Sequence, residues 1–266
     1  MRHLDLFSGI GGFAIATEKV WHDVEHVFCE IDPFCQAVLK KHWPNSIIHN
    51  DIKTLTNAEY QRELQSEGSE QKIGQRTCDI ITGGFPCHPF SQAGRRKGKK
   101  DDRHLWPEML RVIREFQPDW VVGENVAGIV SMVLDEVCLD LENEGYEVQP
   151  FVIPACAVNA PHRRDRVWIV ANRKDDGGRG WNSQERGYER KRKLVKTKQK
   201  WDETCSEGER RFSWSENWLE VATRLCRMDD GLPRRLDRNP RLKALGNAIV
   251  PQVAEQIFRA IKEIDE

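Results

Sequence analysis

His3-Leu4-Asp5-Leu6-Phe7-Ser8-Gly9-Ile10-Gly11-Gly12-Phe13 reads as a strand-to-helix junction. Residues 3–7 form a short apolar run of strand type. Residues 8–12 are too rich in glycine for either regular element, and residues 13–21 have helical composition. A strand, a glycine turn and a helix start in that order make a nucleotide-type site. Glycines let a ligand approach the backbone, and the first helical N–H groups have no partner within the helix. A G-x-G-G turn is weak alone, since a plain tight turn explains it equally well. The next unit adds weight: residues 24–31 read as a second strand ending in Glu30, about twenty positions after the glycines, where a Rossmann-like sheet places a carboxylate on ribose hydroxyls. There is no Walker-type G-K-[ST]. NAD and an adenosyl ligand without a long phosphate chain both remain open.

Working outward, residues 33–42 read as a helix and 46–49 as a third strand ending at Asn50-Asp51-Ile52. An Asp-Ile pair there can receive an adenine ring; alternatively Asp51 caps the following turn. Residues 56–77 read as helix and loop. Residues 78–81 form a fourth apolar strand, followed by Thr82-Gly83-Gly84-Phe85-Pro86-Cys87-His88-Pro89-Phe90-Ser91-Gln92-Ala93-Gly94, a constrained loop with one thiol in its middle and Arg95, Arg96, Lys97, Lys99 and Lys100 just beyond. A thiol on such a loop, beside positive charge, suits a nucleophile for an anionic substrate; a buried, inert cysteine is the alternative. Residues 104–116 are helical, with Leu105, Met109, Val112, Ile113 and Phe116 on one face. Residues 120–123 are a fifth strand ending at Glu124-Asn125-Val126, and a helix is expected over 128–143. Strands over 146–153 and 167–171 flank Pro161-His162-Arg163-Arg164-Asp165-Arg166. This alternation predicts an α/β fold: a Rossmann-like, mixed but mostly parallel sheet with helices on both faces. Regular periodicity then stops. Residues 172–238, with Trp181, Trp201, Trp214 and Trp218, read as a second, small basic domain. Residues 242–248 read as a turn. A helix over 250–264, with Val250, Val253, Ile257, Ile261 and Ile264 on its apolar face, is expected to return to the sheet. The domains are therefore 1–171, 172–238 and 239–266.

Composition bounds the function. At 266 residues the chain can bury a full core, and 39% apolar with 31% charged residues leaves a polar surface around it. No apolar run approaches the ~18 residues of a membrane span. Residues 1–5 lead directly into a strand pattern without a signal-peptide core, so a cytoplasmic protein with no membrane partner is expected. Eight scattered cysteines without a C-x-x-C pair argue against a zinc site or a disulfide framework, and no metal is expected. Net charge is −1, yet residues 162–200 hold 14 Lys plus Arg against 5 Asp plus Glu. One basic segment on a near-neutral chain reads as a polyanion-binding face, or as a solvated charge run.

Glu30, Asp51, Cys87 and Glu124 all fall at strand C-terminal ends, which line a single crevice in a doubly wound sheet. A thiol and a carboxylate there can act as nucleophile and general acid, and Arg164 and Arg166 can donate to an oxygen that gains charge. The plain alternatives are Glu124 bonded to Asn125, and the two arginines paired with Asp165.

Taken together, these residues resemble the DNA (cytosine-5) methyltransferase family of prokaryotic or phage type. Residues 5–13 resemble its first motif, in the S-adenosylmethionine site. Gly84-Phe85-Pro86-Cys87 resembles its catalytic Pro-Cys loop, Glu124-Asn125-Val126 its Glu-Asn-Val motif, Arg164-Asp165-Arg166 its Arg-x-Arg motif, and Gly246-Asn247-Ala248-Ile249 its last motif. The motifs stand in the family's order and cover residues 3–171 and roughly 218–262. The unmatched stretch lies where the family carries its target-recognition domain. His88 stands where many relatives have Gln, and Pro89 follows.

The resemblance implies a mechanism. The Cys87 thiolate adds to C6 of a cytosine flipped out of duplex DNA, so that C5 can take the methyl group of S-adenosylmethionine, leaving S-adenosylhomocysteine. Loss of the C5 proton expels Cys87. Glu124 holds or protonates ring N3, Arg166 binds O2, and Arg164 orients the site. Phe7, Gly9, Gly11, Glu30, Ile31, Asp51 and Ile52 are implied on the cofactor, with Gly84, Pro86, Leu105, Asn247 and Ala248 closing its far side. Ser91, Arg95 and Arg96 are implied on DNA. The resemblance further implies a monomer acting on double-stranded DNA in a short sequence context, with a cognate restriction endonuclease as a possible partner. Two rivals stay in view: a tRNA-modifying relative, and a binding module that kept the fold without the chemistry. Against the second, Cys87, Glu124 and Arg166 are all present.

Overall fold

The computed structural model describes residues 1–66, 78–86, 105–173 and 238–265. Cys87, His88, Pro89, Ser91, Arg95 and Arg96 lie outside the described residues, as does nearly all of the expected 172–238 domain.

The elements alternate as the periodicity requires: β1 (Arg2–Leu6), α1 (Gly12–Glu18), β2 (Glu25–Cys29), α2 (Pro33–His42), β3 (Ile47–His49), α3 (Asn57–Ser66), β4 (Ile80–Gly83), α4 (Trp106–Phe116), β5 (Trp120–Val126), α5 (Leu134–Asn143), β6 (Tyr146–Pro154), β7 (Asp165–Arg173), α6 (Arg238–Asn247) and α7 (Pro251–Asp265). The seven strands form one sheet in the order β3-β2-β1-β4-β5-β7-β6. The β1–β2, β2–β3, β1–β4 and β4–β5 pairs are parallel, and β7 runs antiparallel to both β5 and β6. The expected mixed, mostly parallel sheet is therefore present. Strand order reverses between β1 and β4, so the crevice that such a reversal opens lies between the glycine turn after β1 and the loop after β4.

Strand alternation sorts the core into two faces. Leu4, Leu6, Val27, Ile81 and Val121 point to one side and pack with Met109, Val112 and Ile113 of α4 and Val137 and Leu141 of α5. Ile80, Trp120, Val122 and Trp168 point to the other and pack with Phe13 of α1 and Val253, Ala254, Phe258 and Ile261 of α7.

Three expectations change. The helix expected over 128–143 is split into a 3-10 turn, Ala127–Ser131, and α5. Gly128 and β-branched Ile129, Val130 and Val133 are weak helix formers, and buried Ile129 and Val133 tie the break to the core. The turn expected over 242–248 is instead the second half of α6, which ends at Asn247; Leu242, Lys243, Ala244 and Leu245 are strong helix formers, so the Gly-Asn pair marks a helix end. On α7 the buried stripe is Val253, Ala254, Phe258 and Ile261, whereas Ile264 is exposed. Phe258 carries more apolar area than the aliphatic residues beside it and turns the helix towards Phe13 and Trp21.

A buried polar chain crosses the α1/α7 face. The Thr82 hydroxyl donates to Asp5 Oδ1 at 2.7 Å, His3 Nε2 lies 2.7 Å from Thr82 Oγ1, and His3 Nδ1 lies 2.9 Å from His26 Nδ1. Because the Thr82 proton goes to Asp5, His3 donates from Nε2, and its Nδ1 accepts from His26. Asp5 Oδ2 has no hydrogen-bond partner among the described residues. Burial, with a smaller push from Glu30, raises the Asp5 carboxyl to about 8 despite the Thr82 bond. The folded state thus keeps a proton that the unfolded chain releases near pH 4, so this group weakens the fold as pH rises from about 4 towards 8. An Asp5→Asn variant removes that titration. Its stability relative to the parent is expected to grow across this window with a limiting slope of about 1.4 kcal/mol per pH unit. Urea unfolding at pH 5, 6 and 7 measures it, and a pH-independent difference contradicts the assignment.

Candidate active site

The glycine turn is built from left-handed backbone. Phe7, Gly9 and Gly11 have φ of +55°, +55° and +83°. Ser8 bridges the turn to β2: its Oγ donates to the Asp5 carbonyl and accepts from Cys29 N–H. Gly11 must be glycine twice over, since a Cβ there would strike the Trp43 ring as well as demand a left-handed side-chain residue. Above Gly9 a Cβ would meet nothing within 4 Å, so this backbone faces open crevice.

Glu30 clasps the turn. Its Oε2 accepts Gly9 N–H and its Oε1 accepts Asp32 N–H, both at 2.7 Å. A carboxylate has about four lone-pair sites, so both oxygens can still accept a ribose hydroxyl. Ile31 is 71% exposed on the crevice rim. Asp51 Oδ1 accepts Lys53 N–H at 3.0 Å, the turn-capping role, which leaves Oδ2 for a ligand. Ile52 differs from the others: it is 4% exposed in the core, and Arg111 Nη2 holds its carbonyl at 2.6 Å. Leu105 precedes the first turn of α4, Pro86 is half-buried, and Asn247 and Ala248 lie at the end of α6.

The second half of the site is made by β5 and β7. Parallel pairing of β4 with β5 ends at Gly83 and Gly123, so Glu124 is the first β5 residue past it. A Cβ on Gly84 would lie 3.4 Å from Glu124 Oε2, an ordinary contact, so the backbone before Cys87 runs directly beside the carboxyl. Glu124 is 8% exposed, and its Oε1 lies 2.9 Å from Arg166 Nε. Burial raises the Glu124 carboxyl to about 7, outweighing the pull of Arg166 and Arg164 in the opposite direction.

Neither plain alternative holds. Asn125 points to the other face: its Nδ2 donates to the Phe85 carbonyl at 2.9 Å and its Oδ1 accepts Val126 N–H. Asp165 pairs with Arg163 at 3.0 Å, leaving Arg166 to Glu124. Asn125 is the functional residue that sequence reasoning left without a role. By gripping Phe85 it sets the backbone two residues before Cys87. Its adjacency to Glu124 was the available signal, because neighbouring strand residues face opposite ways.

Glu30, Gly9, Ile31 and Asp51 therefore meet at one end of the crevice, and Gly84, Glu124 and Arg166 at the other. Open space above a left-handed glycine, an acceptor carboxylate and an exposed aliphatic rim fit an adenosyl group. Among the described residues no group of three His, Cys, Asp or Glu could hold a metal ion, and no helix is long and apolar enough to cross a membrane.

Comparison with known proteins bears on the family and the fold. The family model for C-5 cytosine-specific DNA methylase matches residues 1–229. Type II methyltransferase M2.BsuMI of Bacillus subtilis (strain 168) is 31% identical over 185 residues, covering 66% of this chain and 43% of that protein. Type II methyltransferase M.AquIA of Picosynechococcus is 33% identical over 184 residues, covering 64% of this chain and 71% of that one. Among solved structures, a putative DNA modification methyltransferase encoded within an E. coli prophage superposes with a TM-score of 0.53 at 24% identity, covering 65% of this chain and 47% of that one. The Dnmt2 methyltransferase of S. pombe gives 0.51 at 24% identity, over 67% and 52%. These structural likenesses speak for the fold. The chain spans less than half the length of M2.BsuMI.

Proposed function

The chain belongs to the C-5 cytosine-specific DNA methylase family, and on that premise we propose that it methylates cytosine at C5 in double-stranded DNA, with S-adenosylmethionine as donor. The observation that carries this reading is the buried Glu124–Arg166 pair beside Gly84-Phe85-Pro86, the backbone that leads directly into Cys87.

Each residue then has a defined task. Phe7, Gly9, Glu30, Ile31 and Asp51 hold the adenosyl end of the cofactor, which when bound supplies an electrophilic sulfonium methyl. Cys87 adds to cytosine C6, forming a C–S bond and moving electron density to C5 and N3. Glu124, its carboxyl raised to about 7 by burial, is protonated in about half of the molecules at neutral pH, and that form delivers its proton to N3 as charge develops there. Arg166 fixes the Glu124 carboxyl and donates to the cytosine O2. After C5 has gained the methyl group, loss of its proton breaks the C–S bond and restores the ring. Reaching these groups requires the base to leave the duplex.

In the same reading, residues 172–238 recognise a short DNA sequence, Ser91, Arg95 and Arg96 contact DNA, and the chain acts as a cytoplasmic monomer beside a cognate restriction endonuclease. Incubation with methyl-labelled S-adenosylmethionine and either duplex DNA or tRNA is expected to label the duplex, and bisulfite sequencing of DNA from expressing cells then gives the sequence context. Label confined to tRNA overturns the proposed substrate.

A further inference from the structure

The tandem arginines of Arg164-Asp165-Arg166 serve two different sites. Arg166 turns to Glu124. Arg164 does not. Its backbone has φ +38°, a left-handed conformation rare for a residue with a side chain. From there its Nη2 donates to the carbonyls of Gly246 and Ala248, both at 2.8 Å. These carbonyls flank Asn247, the last residue of α6. A helix C-terminus presents unpaired carbonyls and partial negative charge, so a guanidinium is well matched to it.

The segment held in this way lies over the glycine turn. One turn earlier on α6, Lys243 Nζ lies 2.9 Å from Asp32 Oδ2. Asp32 N–H is held by Glu30, which also holds Gly9 N–H. Just after Ala248, the Ile249 side chain reaches the first residue of α1, where a Cβ on Gly12 would come within 2.6 Å of Ile249 Cγ1. Residues 243–249 therefore touch the turn after β2 at one end and the start of α1 at the other, and Arg164 fastens the middle.

We infer that Arg164 is a positioning residue for the cofactor crevice, a clasp that keeps the C-terminal segment closed over the glycine turn, and not a contact to the target base. This rests on the cofactor reading given above. Arg164 stays within range of Glu124 as a positive charge, but its Nη2 donors are committed to the two carbonyls.

The test measures S-adenosylhomocysteine binding to the full chain by equilibrium titration and stopped-flow release. Arg164→Met is expected to weaken binding about tenfold, mainly through faster release, whereas Arg164→Lys, which keeps a cationic donor for the end of α6, is expected to regain affinity to within about threefold of the parent. In turnover, cofactor KM rises by a larger factor than kcat falls. Exposed Lys243 permits a second variant without risk to the core: Lys243→Met is expected to speed release by about threefold or less, an effect that added salt diminishes in the parent. Unchanged S-adenosylhomocysteine affinity in Arg164→Met, or a lowered kcat at unchanged cofactor KM, overturns the clasp. A parent chain that binds no S-adenosylhomocysteine overturns the cofactor reading and the clasp with it.

Discussion

A Glu124→Gln variant is expected to transfer methyl groups to DNA roughly 10²–10⁴ times more slowly than the parent, the range that a positioned general acid contributes. The substitution is conservative in every other respect. The Gln amide oxygen can still accept from Arg166 Nε, and the side chain has nearly the same size and shape as Glu. What it lacks is a proton to give. Burial has lifted the Glu124 carboxyl to about 7, so at pH 6 most molecules hold the proton and at pH 8 only about a tenth do. The advantage of the parent over the variant should therefore be flat below pH 6 and fall about tenfold per unit well above pH 7. Taking the ratio of the two rates cancels the titration of Cys87, which both proteins share. Single-turnover transfer from labelled S-adenosylmethionine across pH 6–9 gives that ratio. A ratio near one, or one that rises with pH, removes Glu124 from the role of acid.

The second large effect is expected at Cys87. Cys87→Ala should abolish transfer, with a loss on the order of 10⁴–10⁶, the scale on which removal of a covalent nucleophile is felt, while cofactor and DNA binding persist. The three buried thiols among the described residues are unsuited to take its place: burial pushes Cys29 and Cys78 up to about 12 and Cys35 up to about 11, far from the thiolate state. A covalent complex is the sharper readout. Duplex DNA carrying 5-fluorocytosine has no C5 proton to lose, so the parent should remain bonded to it through denaturing electrophoresis, and Cys87→Ala should not. A trapped complex with the alanine variant would place the nucleophile elsewhere.

Much of the site is local chemistry and was legible as such. Glu30 stands at a strand end because an apolar run stops there, and the glycine turn announces itself by Gly9, Gly11 and Gly12. Where local reading went astray, competing local signals were close in strength. Gly246-Asn247 carries turn chemistry, but four helix formers precede it, and the helix runs on to Asn247. The apolar stripe of α7 was read as far as Ile264, which is exposed, and without Phe258, which is buried and faces Phe13 and Trp21. Asp51 takes the turn-capping alternative through one oxygen.

The amino-acid sequence by itself determined the order and kind of the βα units, the glycine turn, the acidic residue after β2 and the motif order that marks the family. The elements and the turn follow from turn chemistry and from periods of two and 3.6 residues, which act over a few positions; the motif order is a likeness to the family. Only the tertiary structure decided which arginine serves which site, where Asn125 points, and what proton Glu124 holds. Asn125 meets Phe85 across 40 positions, and Arg164 meets Gly246 across 82. The Glu124 carboxyl owes its raised pKa to burial, a property of the packed site that no stretch of chain possesses alone.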